Sequence, residues 1–363
     1  MNKSTKHSYF FRDKPLFGLD IGPSSLKVMQ LERPRTGDKN HLPQVTGYGF
    51  TTFDRRAIED GVVVQPEIVA KAAQDLFKRH LIGDITTKRV AIAIPAYRTF
   101  TRALEVPKLK PREMADAVRL EAEQYISTPL EELYLDFEKI REAEDHAELF
   151  AVAVPKTIVD SYLELAQVLG LEAVLIEPTL SSSGRLFELD DQSDIATVMI
   201  DFGSRSADIS IYDRHVLVTG TVQAGGEVFT GLIKSKLGVT QAEAQLIKTK
   251  YGLGPSKKQA EITKALEPKL HELVKEIHRM MRYYEERYGS ERPIQQIVTL
   301  GGGANMPGLS EYLTNEMRLA VRHTNPWQFI GYKGLQPPSD ADKPMFATVA
   351  GLSLSDPKQV FSL

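Results

Sequence analysis

Short apolar runs alternate along the chain with longer segments whose apolar residues fall three and four apart, which predicts strands interleaved with helices. Residues 17–31, FGLDIGPSSLKVMQL, hold two such runs around a glycine, a proline and two serines, and predict a hairpin. QVTGYGFTTF and GVVV predict further strands. PEIVAKAAQDLFKRH predicts a helix with Ile68, Val69, Ala72 and Leu76 on one face, and RVAIAIP a buried strand. The rhythm then changes: TRALEVP, PREMADAVRLEAEQYI, LYLDFEKI and ELFAVAVP predict a strand–helix–strand–strand insert bracketed by Pro95 and Pro155. Beyond it come a helix stopped by Gly170, the strand LEAVLIEP and a short helix over TLSSSGRLFEL.

A second hairpin follows in DIATVMIDFGSRSADISIYD, then the strand HVLVTGTVQ. Its Ile200, Asp201, Gly203, polar turn and Ile209–Ile211 repeat the scheme of the opening stretch, so the chain carries an internal repeat. The remainder is helical up to the strand IQQIVTL, which meets GGGANMPGLSEYL. VRHTNP, a loop and the short helix PMFATVAGLSL close the pattern. Alternation of this kind predicts an α/β fold with helices on both sheet faces.

Composition narrows the classes. At 363 residues the chain is long for one domain and suits two; 42% apolar residues fill sizeable cores. A net charge of −3 excludes nucleic-acid binding by the molecule as a whole. The absence of cysteine excludes disulfides, thiolate metal sites and a cysteine nucleophile, and suits the cytosol. No apolar stretch reaches the length of a bilayer span. Residues 1–14 carry Lys3, Lys6, Arg12 and the pair Phe10–Phe11 without a long apolar core, so they are expected to form a flexible tail and not a signal peptide.

The chemistry lies in the repeated bends. Each ends a strand on an aspartate beside a turn of small residues, whose N–H groups can converge on an anion. Facing each other across a cleft, two such turns would clamp a polyphosphate, with Asp20 and Asp201 holding the waters of a magnesium ion. Gly301, Gly302 and Gly303, where a strand runs into a helix, add a place for backbone to approach a flat ligand closely.

In chain order, GLDIGPSSLK, IEPTLSSS, IDFGSRSADI, LGGGANMPG and FATVAGLSL resemble the first phosphate loop, first connecting segment, second phosphate loop, adenosine loop and second connecting segment of the actin-like ATPase superfamily. The insert resembles that of the FtsA and PilM families, and AGGEVFTGLIKSKLGVTQAEAQLIKTKYG is similar to a segment both share. The chain's length, its LVKEIHRMMRYYEERYG helix and its end at DPKQVFSL, without the basic amphipathic helix of FtsA, make PilM the nearer family. The resemblance implies a two-lobed, ribonuclease H-like fold. The first-lobe core would take residues 15–95, completed by 156–190 and 326–363, with the insert at 96–155. The second-lobe core would take 191–237 and 289–325, with a small subdomain at 238–288. It further implies ATP and magnesium as ligands and a cytoplasmic place at the inner-membrane face. The expected partner is the N-terminal tail of a PilN-like membrane protein, lying between the first-lobe core and the insert near residues 98–134. The alternative is an FtsA-like filament-forming division protein.

Carried over by position, the resemblance assigns Asp20 and Asp201 to the magnesium waters, Gly22, Ser24 and Ser25 to the first phosphate turn, and Lys27 to the β-phosphate. Gly203 and Ser204 match the second turn, and Glu177 the residue that orients the attacking water. Gly301, Gly302 and Gly303 match the adenosine loop, and Gln245 and Lys248 the contacts to ribose and adenine. Three residues depart from the pattern. Pro23 replaces a serine or threonine and removes a donor worth roughly 1.5–3 kcal/mol against a charged partner. Arg205 stands where glycine is common, and Gln245 replaces a glutamate. Together they predict nucleotide binding with weak or no hydrolysis.

His271 and His278 are seven apart and lack a third ligand, so they read as flanks of the Leu270–Leu273–Ile277–Met281–Tyr284 stripe. Tyr283, Tyr284 and Tyr288 read as packing, and Glu131–Glu132 and Glu142–Glu148 as solvated charge. There is no GxGxxG, no phosphate-binding lysine loop and no nucleophile elbow.

Overall fold

The computed structural model describes residues 15–33, 42–190, 194–332 and 334–356; the expected N-terminal tail lies outside them. Two sheets repeat one plan. In the first, the strands Phe17–Ile21, Ser25–Glu32 and Gln44–Thr52 form an antiparallel meander, and Arg89–Ile94 and then Glu172–Pro178 add in parallel beside Phe17–Ile21. In the second, Thr197–Phe202, Ala207–Asp213 and His215–Val222 form the meander, while Gln296–Leu300 and Ala320–His323 add in parallel. The first strand of each is apolar almost throughout because helices cover both faces, as the continuous run FGLDI requires.

The helices Thr179–Phe187 and Ala347–Ser353 connect the two sheets and cross at a glycine. A Cβ on Gly351 would stand 1.8 Å from the Ser182 carbonyl oxygen, so the approach depends on its absence. Ser353 Oγ, 2.7 Å from the Met29 carbonyl, ties the second of these helices to the first sheet.

The insert forms as expected. Phe100–Pro107, His146–Pro155 and Leu133–Glu142 make a three-stranded sheet in that order, backed by the helix Pro111–Tyr125 over Leu104, Val106, Val118 and Leu149. Its edge strand Phe100–Pro107 runs beside the second lobe's edge strand His215–Val222, where the Thr101 and Thr219 hydroxyls meet. The helix Gln259–Tyr288 carries the expected apolar stripe, with His271 and His278 exposed on its flanks.

One expectation is corrected here. Glu148 is not solvated: it is 7% exposed, accepts a hydrogen bond from the Tyr288 hydroxyl at 2.5 Å and lies 3.9 Å from Arg287. Its strand alternation turns the carboxylate toward the second lobe, and the long helix brings up the donor. Glu131, Glu132, Glu142 and Glu144 are exposed.

Candidate functional site

The two bends are built alike. Gly22 N–H donates to the Ser25 carbonyl at 2.8 Å, leaving Pro23 and Ser24 at the tip. Gly203 N–H donates to the Ser206 carbonyl at 2.9 Å, leaving Ser204 and Arg205. Proline is accommodated because the N–H that closes the turn belongs to Gly22, and a fixed φ suits the first tip position. The registers match too: Asp20 pairs across its hairpin with Lys27, and Asp201 with Asp208.

Both bends line one cleft of about 730 Å³ between the two sheets, within the range of small-molecule sites. Asp20 and Asp201 thus share a cavity. Lys27 Nζ lies 2.8 Å from the Asp20 carboxylate, with both side chains largely buried. Asp208 was not singled out from the sequence, yet it lines the same cleft. The signal was the repeat itself, since it stands seven residues after Asp201 as Lys27 does after Asp20. Burial, then the charges of Asp208 and Asp20, push Asp201 up to about 7 against the pull of Lys27. Burial also pushes Asp208 up to about 6, opposed by hydrogen bonds from Thr221 and Ser206.

Of the three carboxylates at the bends only Asp20 has a lysine partner, so a divalent cation would find oxygen donors here. Among the described residues no group of three or more His, Asp or Glu is arranged as a metal site. The oxygen donors of Asp20, Asp201 and Asp208 are of the kind that would hold magnesium through its waters, an ion that dehydrates reluctantly and takes few protein ligands.

The glycine triplet divides its labour. Gly301 has φ +77°, and a Cβ there would lie 2.2 Å from Asp201 Oδ1. One on Gly303 would lie 2.9 Å from the Phe202 Cβ. These two let the loop press on the second bend. A Cβ on Gly302 would meet nothing nearer than Met345 Cβ at 4.0 Å, so this glycine alone leaves open space on the cleft side. On the helix Gln241–Lys250, the Gln245 side chain accepts from the Thr230 hydroxyl at 2.8 Å. Lys248 Nζ donates to the Gly226 carbonyl at 2.7 Å, and burial brings it down to about 8.

Of the thirteen residues that the resemblance assigns to the site besides Glu177, the cleft gathers all but Ser24, whose carbonyl accepts from Phe53 N–H at 3.0 Å. Glu177 also stands away from the lining. Arg185 holds it by two hydrogen bonds of 2.7 Å and reaches the Gly351 carbonyl at 3.1 Å, so Glu177 braces the connecting helices. The resemblance gives it the place of the residue that orients the attacking water, but eight residues along the chain Arg185 supplies a fork that matches a carboxylate in both oxygens.

A doubled sheet plan, with paired acidic bends and a glycine loop meeting over one cleft between the lobes, defines a protein of the actin-like fold. The model of the family described as "Type IV pilus assembly protein PilM" matches residues 18–356. The chain belongs to that family. Among solved structures it is similar to the "PilM-PilN type IV pilus biogenesis complex", with 23% identity, a TM-score of 0.79, and 94% of this chain and 98% of that chain covered. It also resembles MreB5 of Spiroplasma citri bound to AMPPNP, at 12% identity and a TM-score of 0.52, over 93% of this chain and 95% of that one. The cell division protein FtsA of Enterococcus faecalis is 25% identical over 65% of this chain, and the match spans only 57% of that protein's length. No described helix is long and apolar enough to cross a membrane.

Proposed function

We propose that the chain is a nucleotide-binding component of the type IV pilus assembly machinery that docks the cytoplasmic tail of a PilN-like inner-membrane protein. The observation carrying this is one cleft in which both acidic bends and the open Gly302 face each other, within a chain of the PilM family. ATP with magnesium would lie between the lobes. Asp20, Asp201 and Asp208 would hold the ion's waters, Lys27 and the two turns the phosphates, and Gly302, Gln245 and Lys248 the nucleoside. Such a ligand bridges two lobes and biases their closure, as in hinge motions.

Hydrolysis is expected to be slow, because Glu177 is committed to Arg185. On this reading residues 15–95 with 156–190 and 326–363 would act as the first-lobe core, 96–155 as the docking insert, 191–237 with 289–325 as the second-lobe core, and 238–288 as the nucleoside-holding subdomain. The partner tail is placed beside the insert. There Tyr134 is 45% exposed and donates to Asp160 at 3.0 Å on the core's helix Lys156–Val168; its edge strand Leu133–Glu142 pairs with no strand on its outer side among the described residues, where an extended peptide could add.

A pull-down with synthetic N-terminal tails of pilus inner-membrane proteins, with and without Mg·ATP, tests the partner. Retention of a PilN-type tail supports the reading, and failure to retain any defeats it. Asp20→Ala should lower Mg·ATP affinity at least tenfold, a loss of about 1.4 kcal/mol; undiminished binding would show that the first bend does not meet the ligand. The FtsA likeness favours a second reading as a polymer-forming protein, for which robust nucleotide-dependent pelleting would speak.

A further inference from the structure

We propose that the side chain of Arg205 reads the terminal phosphate of a nucleoside triphosphate, so that it sets preference for triphosphate over diphosphate. The inference rests on the reading of the cleft as a nucleotide site and adds a residue that the match of motifs counted only as a bulky departure.

Its backbone is rigidly held. Gly225 N–H donates to the Arg205 carbonyl at 3.1 Å and Glu227 N–H to the Ser204 carbonyl at 2.7 Å, pinning the tip of the second bend to the start of the helix Gly226–Leu237. A Cβ on Gly225 would stand 2.3 Å from the Arg205 carbonyl carbon, so this seam closes only around glycine. The side chain, by contrast, is half-buried in the cleft wall.

Besides Lys27, which the reading of the cleft gives to the phosphates, Arg98 holds Asp60 at 2.7 Å, Arg55 stands 4.0 Å from Glu227, and Lys248 donates to the Gly226 carbonyl. Arg205 has no carboxylate partner among the described residues. It lines the cleft together with Tyr97, at the root of the insert, and with Asp208. As a tip residue of the second bend, Arg205 stands at the acidic-bend end of the cleft, with Gly302 and Gln245 serving the other. The facing tip offers Pro23, which has no N–H to give. A planar five-donor fork is the group best suited to take a phosphate in that position.

The test is titration of ADP, ATP and the non-hydrolysable AMPPNP, each with magnesium, into the full chain carrying Arg205, R205A or R205K. Binding is read by calorimetry. R205A is expected to lose about tenfold in affinity for both triphosphates while ADP shifts less than about twofold, and R205K to recover part of the loss. Retained ADP binding reports that the variant is folded. Equal losses for ADP and ATP, or an unchanged ATP affinity, overturn the proposal and leave the cleft reading standing. A wild-type chain that binds none of the three overturns both.

Discussion

If Asp201 must be ionised to hold the waters of a magnesium ion, metal-dependent nucleotide binding should strengthen as pH rises. Burial and two neighbouring carboxylates push Asp201 up to about 7, and burial pushes Asp208 up to about 6. A carboxyl titrating near 7 is about one-tenth ionised near pH 6 and about nine-tenths ionised near pH 8. That alone predicts a rise of roughly ninefold in apparent Mg·nucleotide affinity across the interval, and Asp208 adds a factor of about two. Binding should release protons in the same window.

The stability of the empty protein should move the other way. A folded-state acid held above its ordinary 3.8 destabilises the fold progressively as pH rises from there toward about 7, and the loss levels off above. The assay is calorimetric titration of a nucleotide at several pH values, with magnesium and with EDTA in its place. The EDTA series reports the titration of the nucleotide itself. Asp201→Asn should bind magnesium nucleotide weakly and flatten the slope. A metal-dependent affinity that is level or falls across this range would refute the assignment of Asp201, since no carboxylate that must lose a proton behaves so.

Two further outcomes follow from contacts already described. Gly302→Val should leave unfolding in urea within about 0.5 kcal/mol of wild type, because open space lies beyond that Cα, yet it should abolish measurable nucleotide binding; unimpaired binding would mean that the ligand does not use this wall. Tyr288→Phe leaves the buried Glu148 carboxylate without its 2.5 Å donor and should cost about 1–3 kcal/mol in chemical denaturation, with a smaller loss when Glu148→Gln is already present. Equal losses in the two backgrounds would show that the pair does not act together.

What the sequence made legible was local. The hairpins, the Gly170 stop, the stripe of the long helix and the order of the insert each rest on a few neighbouring residues, and all of them form. The repeat added more, because two copies of one bend had to meet something in common. The contacts it could not show depend on distant partners or on strand register. Glu148 and Tyr288 are 140 residues apart, so a charged stretch looked solvated. Glu177 has its partner only eight residues on, but nothing in the spacing says that the helix start aims Arg185 back at it. Asp208 was within reach of inspection: an aspartate seven residues after a strand-ending aspartate, in a two-residue hairpin, must stand opposite it. The first copy places a lysine there and the second a carboxylate. One half of the repeat gives its aspartate a lysine partner, and the other sets a second carboxylate opposite it, which raises the pH at which Asp201 ionises. That asymmetry is the reason to look for a cation in this cleft.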